Sequence, residues 1–103
     1  MRIFNVSTIR EWQAEHANAR DALQRWYRTA LAAEWHNLHQ VRQAYPAADQ
    51  VGSCLVFNIM GNQYRLIAGV IYATGDHTGF LYLKHFLTHA EYDKDTWKGD
   101  CQE

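Results

Sequence analysis

Glycine and proline are nearly missing from the first half of this chain. Residues 1–50 contain no glycine and a single proline, Pro46, whereas all six glycines fall between Gly52 and Gly99. Since both residue types interrupt regular structure, this distribution favours helices first and strands with turns afterwards. With 103 residues, two independent cores would each be too small, so we expect one domain over residues 1–103.

Other absences limit the classes of function. Two cysteines far apart, Cys54 and Cys101, exclude a CxxC redox pair and a four-cysteine zinc site. The longest apolar run, Leu66–Ala73, is too short to cross a bilayer, and the amino terminus lacks a signal-peptide core. We therefore expect a protein of the reducing cytoplasm, away from membranes. The formal net charge of −1 provides no overall basic surface for nucleic acid, so any anion site must be local.

Apolar positions at intervals of three and four predict three helices in the first half. A capping box of Thr8 and Glu11 is expected to start the first helix, which ends near Asn18. The second and third helices follow the stripes 19–31 and 35–45. Three tryptophans on these stripes are expected in the core: Trp12, Trp26 and Trp35.

The apolar period changes to two at Cys54, which predicts strands. One strand reverses at Gly61-Asn62 into a second over 64–72, and a third runs over 80–87. Residues 47–53 are expected to be a polar connector, and Thr88 to cap a short final helix. This order predicts an α+β fold, with the N-terminal helices packed on one face of a small antiparallel sheet and the other face partly open.

Two cations interrupt the apolar strands, Arg65 in the second and Lys84 in the third. If both project from the open face, the guanidinium could grip a phosphate through two hydrogen bonds and the ammonium could add a point charge. The alternative is that each is a solvated side chain on the exposed face of an antiparallel sheet.

Ionisable side chains concentrate where the third strand meets the final helix. His89 could move a proton near neutral pH, and Tyr92 could stack on a base or donate its hydroxyl. Alternatively, Thr88 caps a helix whose acidic first turn suits the helix dipole, and His89 is simply exposed. A metal site of His85, His89 and Asp93 is disfavoured, because His85 lies on a strand and not on the same helix as His89.

The chain resembles the HigB-type toxins of bacterial type II toxin–antitoxin systems. Two long segments carry the resemblance, VFNIMGNQYRLI at 56–67 and THAEYDK at 88–94, with shorter matches at Arg2-Ile3, Trp26-Tyr27 and Glu34-Trp35. The resemblance implies a RelE-like fold and an mRNA interferase without metal or cofactor, which in related toxins cuts transcripts on the translating ribosome. It also implies a HigA-like helix-turn-helix antitoxin as partner, with operator DNA bound only through that antitoxin.

In such an enzyme the ribose 2′-hydroxyl attacks the adjacent phosphate and leaves a cyclic phosphate and a 5′-hydroxyl. The resemblance implies that Arg65 and Lys84 stabilise the pentavalent phosphate, while His89 acts as general acid or base. Tyr92 would stack on or orient the RNA. Three further side chains would support them: His85, Asp93 and Lys94.

Two other classes of function compete with the nuclease. Residues 51–103 carry four cations against six anions, an unusual balance for RNA binding. This balance fits a catalytically weak or inactive relative that binds the antitoxin and modulates autorepression of their operon. A module unrelated to RNA is favoured if Arg65, Lys84 and His89 point away from one another.

Overall fold

A mixed five-stranded sheet organises the computed structural model, which describes residues 1–102. The strands are β1 (Arg2–Phe4), β2 (Asp49–Val51), β3 (Cys54–Ile59), β4 (Tyr64–Ile71) and β5 (Phe80–Thr88). Their order in the sheet is β1-β5-β4-β3-β2. Strand β1 runs parallel to β5, and every other neighbouring pair is antiparallel.

Helices precede and follow the main strands. They are α1 (Ser7–Glu15), α2 (Arg20–Ala32), α3 (Leu38–Ala44) and α4 (His89–Tyr92), with 3-10 turns at Ala17–Ala19 and Thr96–Cys101. No helix within residues 1–102 has the length and apolar character needed to cross a membrane.

The strands at both edges of the sheet differ from the sequence prediction. Strand β1 precedes the helices and makes the sheet mixed, whereas we expected helices first and an antiparallel sheet. Strand β2 lies inside the predicted polar connector, where Gln50 pairs with Leu55. Three-residue edge strands are too short to show an alternating pattern, and they form because the neighbouring strand offers unpaired backbone groups.

The two predicted helix caps had different outcomes. Helix α1 starts at Ser7 without a side-chain cap, so the capping box predicted for Thr8 and Glu11 is wrong. At α4 the predicted cap is confirmed: the Thr88 hydroxyl accepts from the Glu91 amide at 3.2 Å, and the Glu91 carboxylate accepts from the Thr88 amide at 2.9 Å. This backbone hydrogen bond lowers the pKa of Glu91 below its usual value.

The main hydrophobic core lies between the helices and one face of the sheet. Leu23 and Trp26 of α2 pack there with Phe57 of β3 and Leu66 of β4, all essentially without solvent contact. Burial of the three tryptophans at 12, 26 and 35 is confirmed. Strand alternation turns the intervening residues of β3 and β4 to the opposite face.

A second, smaller core covers part of that opposite face. Trp97 of the C-terminal 3-10 turn packs there against Val56 and Ile67. The turn is also bonded to the sheet, because Cys101 forms a disulfide with Cys54. Sequence spacing excluded a redox or zinc motif for these cysteines but did not predict their pairing. A disulfide also runs against the reducing cytoplasm that we expected from them.

Reduction of the disulfide is expected to lower the free energy of unfolding. Its cysteines lie 47 positions apart, and a crosslink closing a loop of that size contributes up to about 4 kcal/mol through the unfolded chain. Urea unfolding with and without a thiol reductant measures the loss. The Cys54→Ser/Cys101→Ser double variant should unfold at the same urea concentration as the reduced protein, with or without the reductant. An unchanged unfolding midpoint of the wild type after reduction would contradict a stabilising contribution of the disulfide.

Candidate functional site

Arg65 is a charged residue buried within the fold, with 8% of its surface exposed. Strand alternation points it away from the main core, towards the face that carries the C-terminal segment. Its Nη1 donates to the backbone oxygens of Asn62 at 3.3 Å and Tyr64 at 3.1 Å, and its Nη2 donates to the Asn62 side-chain oxygen. These bonds compensate for the removal of the charge from water.

The β3–β4 turn places Asn62 at Arg65. Met60 and Gly61 both adopt positive φ, at 55° and 63°, which reverses the chain directly before Asn62. The backbone oxygen of the next residue, Gln63, accepts from the His89 amide at 3.1 Å and ties this turn to α4. The sequence indicated the turn at Gly61-Asn62 but gave no signal that Asn62 holds the arginine.

His89 is the second component, and its ring links two neighbours. The Arg65 Nη2 lies 3.3 Å from His89 Nδ1, while His89 Nε2 lies 3.2 Å from the Asp93 carboxylate one turn later. An arginine can only donate, so Nδ1 must accept. In this arrangement the ring proton lies on Nε2 and is directed at Asp93.

Tyr92 completes the cluster from α4. The Arg65 guanidinium lies 5.3 Å from the centre of the Tyr92 ring, and the ring stacks on Trp97 with centres 5.0 Å apart. Burial raises the pKa of Tyr92 above its usual value, partly offset by the charge of Arg65. The phenol therefore stays protonated at neutral pH.

Lys84 and His85 do not join this cluster. A β-bulge between β4 and β5 skips Lys84 in the pairing, and both side chains turn towards Asp100 of the C-terminal segment. His85 Nε2 lies 2.7 Å from the Asp100 carboxylate, and Lys84 donates to the Asp100 backbone oxygen. Arg65 pairs instead with Leu87, three positions further along β5 and about 10 Å from Lys84 along the strand.

The predicted site residues thus separate into two groups. The structure brings together Arg65, His89, Tyr92 and Asp93, which we call the Arg65 cluster. It places Lys84 and His85 around Asp100, while Lys94 is exposed next to the first group. Within residues 1–102, no three His, Cys, Asp or Glu side chains are grouped as metal ligands.

The cluster is suited to proton transfer beside a fixed positive charge. His89 and Asp93 are both largely exposed, so a ligand can reach the Nε2 proton and the carboxylate. Arg65 is different, because four of its donor contacts are already made within the fold. To bind a phosphate through two hydrogen bonds, Arg65 would have to break its hydrogen bonds to Asn62. The direct phosphate contact expected for Arg65 is therefore not preformed.

The tautomer of His89 provides a test of this geometry. Nitrogen-15 spectra of the side chains, recorded at a pH where the ring is neutral, should show His89 with a bare Nδ1 and a protonated Nε2. Arg65→Leu should increase the share of the tautomer with its proton on Nδ1, because the one donor to Nδ1 within residues 1–102 is gone while the Asp93 contact to Nε2 remains. Exposed His39 on α3 is the internal control and should not change, and a proton on Nδ1 of His89 in the wild type would contradict the arrangement.

Comparison with known protein families agrees with the resemblance found in the sequence. The family model for the HigB toxin, described as the RelE-like toxic component of a toxin–antitoxin system, matches residues 19–95. The matched region extends from α2 through the Arg65 cluster and covers well over half of the chain. No curated protein sequence matches the chain. The family resemblance is confirmed, and the chain belongs to the HigB toxin family of RelE-like toxins, the toxic components of toxin–antitoxin systems.

Proposed function

We propose that this toxin is a metal-independent endoribonuclease that cuts mRNA at the Arg65 cluster. The 3.3 Å contact between Arg65 and His89 carries the proposal, since it joins a buried cation to an exposed imidazole from a separate sequence segment. An imidazole, a carboxylate and a fixed positive charge can supply the proton transfers and the charge stabilisation that cleavage by a ribose 2′-hydroxyl needs. Membership of a RelE-like toxin family supports this reaction over other uses of the same groups.

In the proposed reaction, His89 and Asp93 share the two proton transfers. The Asp93 carboxylate takes the proton of the attacking 2′-hydroxyl, and the 2′-oxygen forms a bond to phosphorus. The bond from phosphorus to the 5′-oxygen breaks. His89, which first takes a second proton on Nδ1 and leaves its contact with Arg65, gives its Nε2 proton to that leaving oxygen and ends as a neutral ring. The products are a 2′,3′-cyclic phosphate and a 5′-hydroxyl.

Arg65 has a positioning and electrostatic part in this proposal. Before substrate binds, its bond to Nδ1 orients the His89 ring with Nε2 towards Asp93. During cleavage, its charge favours the extra negative charge of the pentavalent phosphate. Tyr92, held as a neutral phenol, offers its edge or hydroxyl to an RNA base, and Lys94 adds charge nearby. Lys84 and His85 have no part in bond cleavage here, because Asp100 already binds both.

We infer the biological setting from the family. We propose that the substrate is mRNA on the translating ribosome in the cytoplasm and that cleavage inhibits translation and growth. The partner would be a HigA-like helix-turn-helix antitoxin. The toxin would bind operator DNA only through this antitoxin. A toxin–antitoxin system requires such a neutralising partner, which supports this part of the proposal.

A second candidate is a catalytically weak relative that keeps only antitoxin binding. The burial of Arg65 and its contacts within the fold favour this candidate, because Arg65 and Lys84, the two cations predicted to bind one phosphate, are engaged separately by Asn62 and Asp100. The acidic balance of residues 51–103 points the same way. Activity in cells distinguishes the two candidates.

His89→Ala should abolish toxicity if the nuclease proposal is right. Controlled expression of the wild type should arrest growth and create new 5′ ends in mRNA, whereas loss of the proton donor should reduce cleavage by about 10²–10⁴-fold. The matched control is His39→Ala, which removes an exposed histidine from α3 and should behave as the wild type.

Two outcomes would count against the proposal. Undiminished mRNA cleavage by His89→Ala would remove this residue from the mechanism. A wild-type protein that makes no cuts but still binds its antitoxin would identify the binding-only relative.

A further inference from the structure

A groove lined by arginines runs between α1 and α2, on the outer side of the helical layer. It has a volume of about 520 Å³, and its charged lining residues are Arg10 from α1 with Arg20 and Arg28 from α2. Arg20 and Arg28 are eight residues apart on α2, a spacing that keeps both on one broad face of the helix. We call this feature the arginine groove.

The positive charge of the arginine groove is not neutralised by the fold. No acidic side chain lines it, and none of its three arginines forms an ion pair among residues 1–102. The chain as a whole carries a net charge of −1, so three cations in one groove are a local concentration. Free guanidinium groups facing one space are complementary to carboxylates or phosphates.

Apolar side chains distinguish between these two partners. Val6, which is 41% exposed, lines the groove together with Tyr27. Leu31, 49% exposed, follows Tyr27 by one helical turn and extends the apolar strip. Exposed aliphatic groups next to arginine and tyrosine are typical of protein interfaces, whereas the sugar–phosphate backbone of RNA offers nothing to bury them.

We propose that the arginine groove receives an acidic, amphipathic segment of the antitoxin. Carboxylates of that segment pair with Arg10, Arg20 and Arg28, and its apolar side chains cover Val6 and Tyr27. The inference rests on membership of a toxin–antitoxin family, which requires a partner, and does not depend on RNA cleavage.

The position of the groove has a functional consequence. Helices α1 and α2 cover the sheet face that bears Leu66, while Arg65 projects from the other face. Partner contacts in the groove therefore leave the Arg65 cluster uncovered. An antitoxin bound in the groove would therefore neutralise the toxin in one of two ways. Its size would keep the toxin from its substrate, or a second part of it would contact the Arg65 cluster.

Charge reversal in the groove tests the proposal. Purified toxin is titrated with its cognate antitoxin, and Arg20→Glu/Arg28→Glu should weaken the Kd by about 100-fold or more, as expected for interfacial arginine pairs. The matched control is Arg25→Glu, an exposed arginine of α2 outside the groove, which should stay within about threefold of the wild type. Circular dichroism verifies that each variant is folded.

Milder variants keep the test decisive if charge reversal unfolds the protein. Arg20→Gln and Arg28→Gln each preserve the helix, and each should weaken antitoxin binding by about tenfold, with a shallower dependence on salt. An unchanged Kd in the folded groove variants would overturn the proposal. Unchanged antitoxin binding combined with weaker binding of a single-stranded RNA 20-mer would reassign the groove to nucleic acid.

Failure of the nuclease proposal has a different signature. In that case the wild type cuts no mRNA, while the titrations with antitoxin give the same result. The two proposals can therefore fail independently.

Discussion

The burial of one positive charge constrains the functional face of this toxin. A guanidinium removed from water must have its donors satisfied, and Arg65 achieves this through Asn62, the Tyr64 backbone and His89. Two of these partners depend on neighbouring elements, because Asn62 lies in the tight β3–β4 turn and His89 is carried by α4. The orientation of the imidazole is thus a consequence of how the fold accommodates the arginine.

The two faces of the sheet carry different structures. One face supports the helical layer and holds the large aromatic core, with the arginine groove on the far side of its helices. The other face carries the Arg65 cluster and the C-terminal segment, which Trp97 and the disulfide of Cys101 fasten to the sheet. The proposed antitoxin surface and the proposed RNA site therefore lie on opposite sides of the sheet.

Sequence patterns predicted the elements that are periodic and the residues that lie in long motifs. Local spacing predicted helix α2, strands β3 to β5 and the cap at Thr88. The two long motifs at 56–67 and 88–94 singled out Arg65 and His89 as site residues. Contacts between distant positions gave no local signal, which is why β1, the pairing of Cys54 and the role of Asn62 were not predicted. Lys84 was expected on the same face as Arg65 because both interrupt alternating apolar strands. A β-bulge turns Lys84 towards Asp100 instead, and a bulge cannot be recognised in the alternating pattern.

The most direct test of the Arg65 cluster as a nuclease centre is the chemistry of the RNA ends that the toxin produces. Transcripts cut by the wild-type toxin on translating ribosomes can be analysed for their termini, alongside a transcript with a 2′-deoxy nucleotide at the cleaved position. Proton transfer by His89 and Asp93 to and from ribose oxygens predicts 2′,3′-cyclic phosphate and 5′-hydroxyl ends, with no cleavage of the deoxy transcript. Ends bearing a 3′-hydroxyl and a 5′-phosphate, or cleavage of the deoxy transcript, would contradict it.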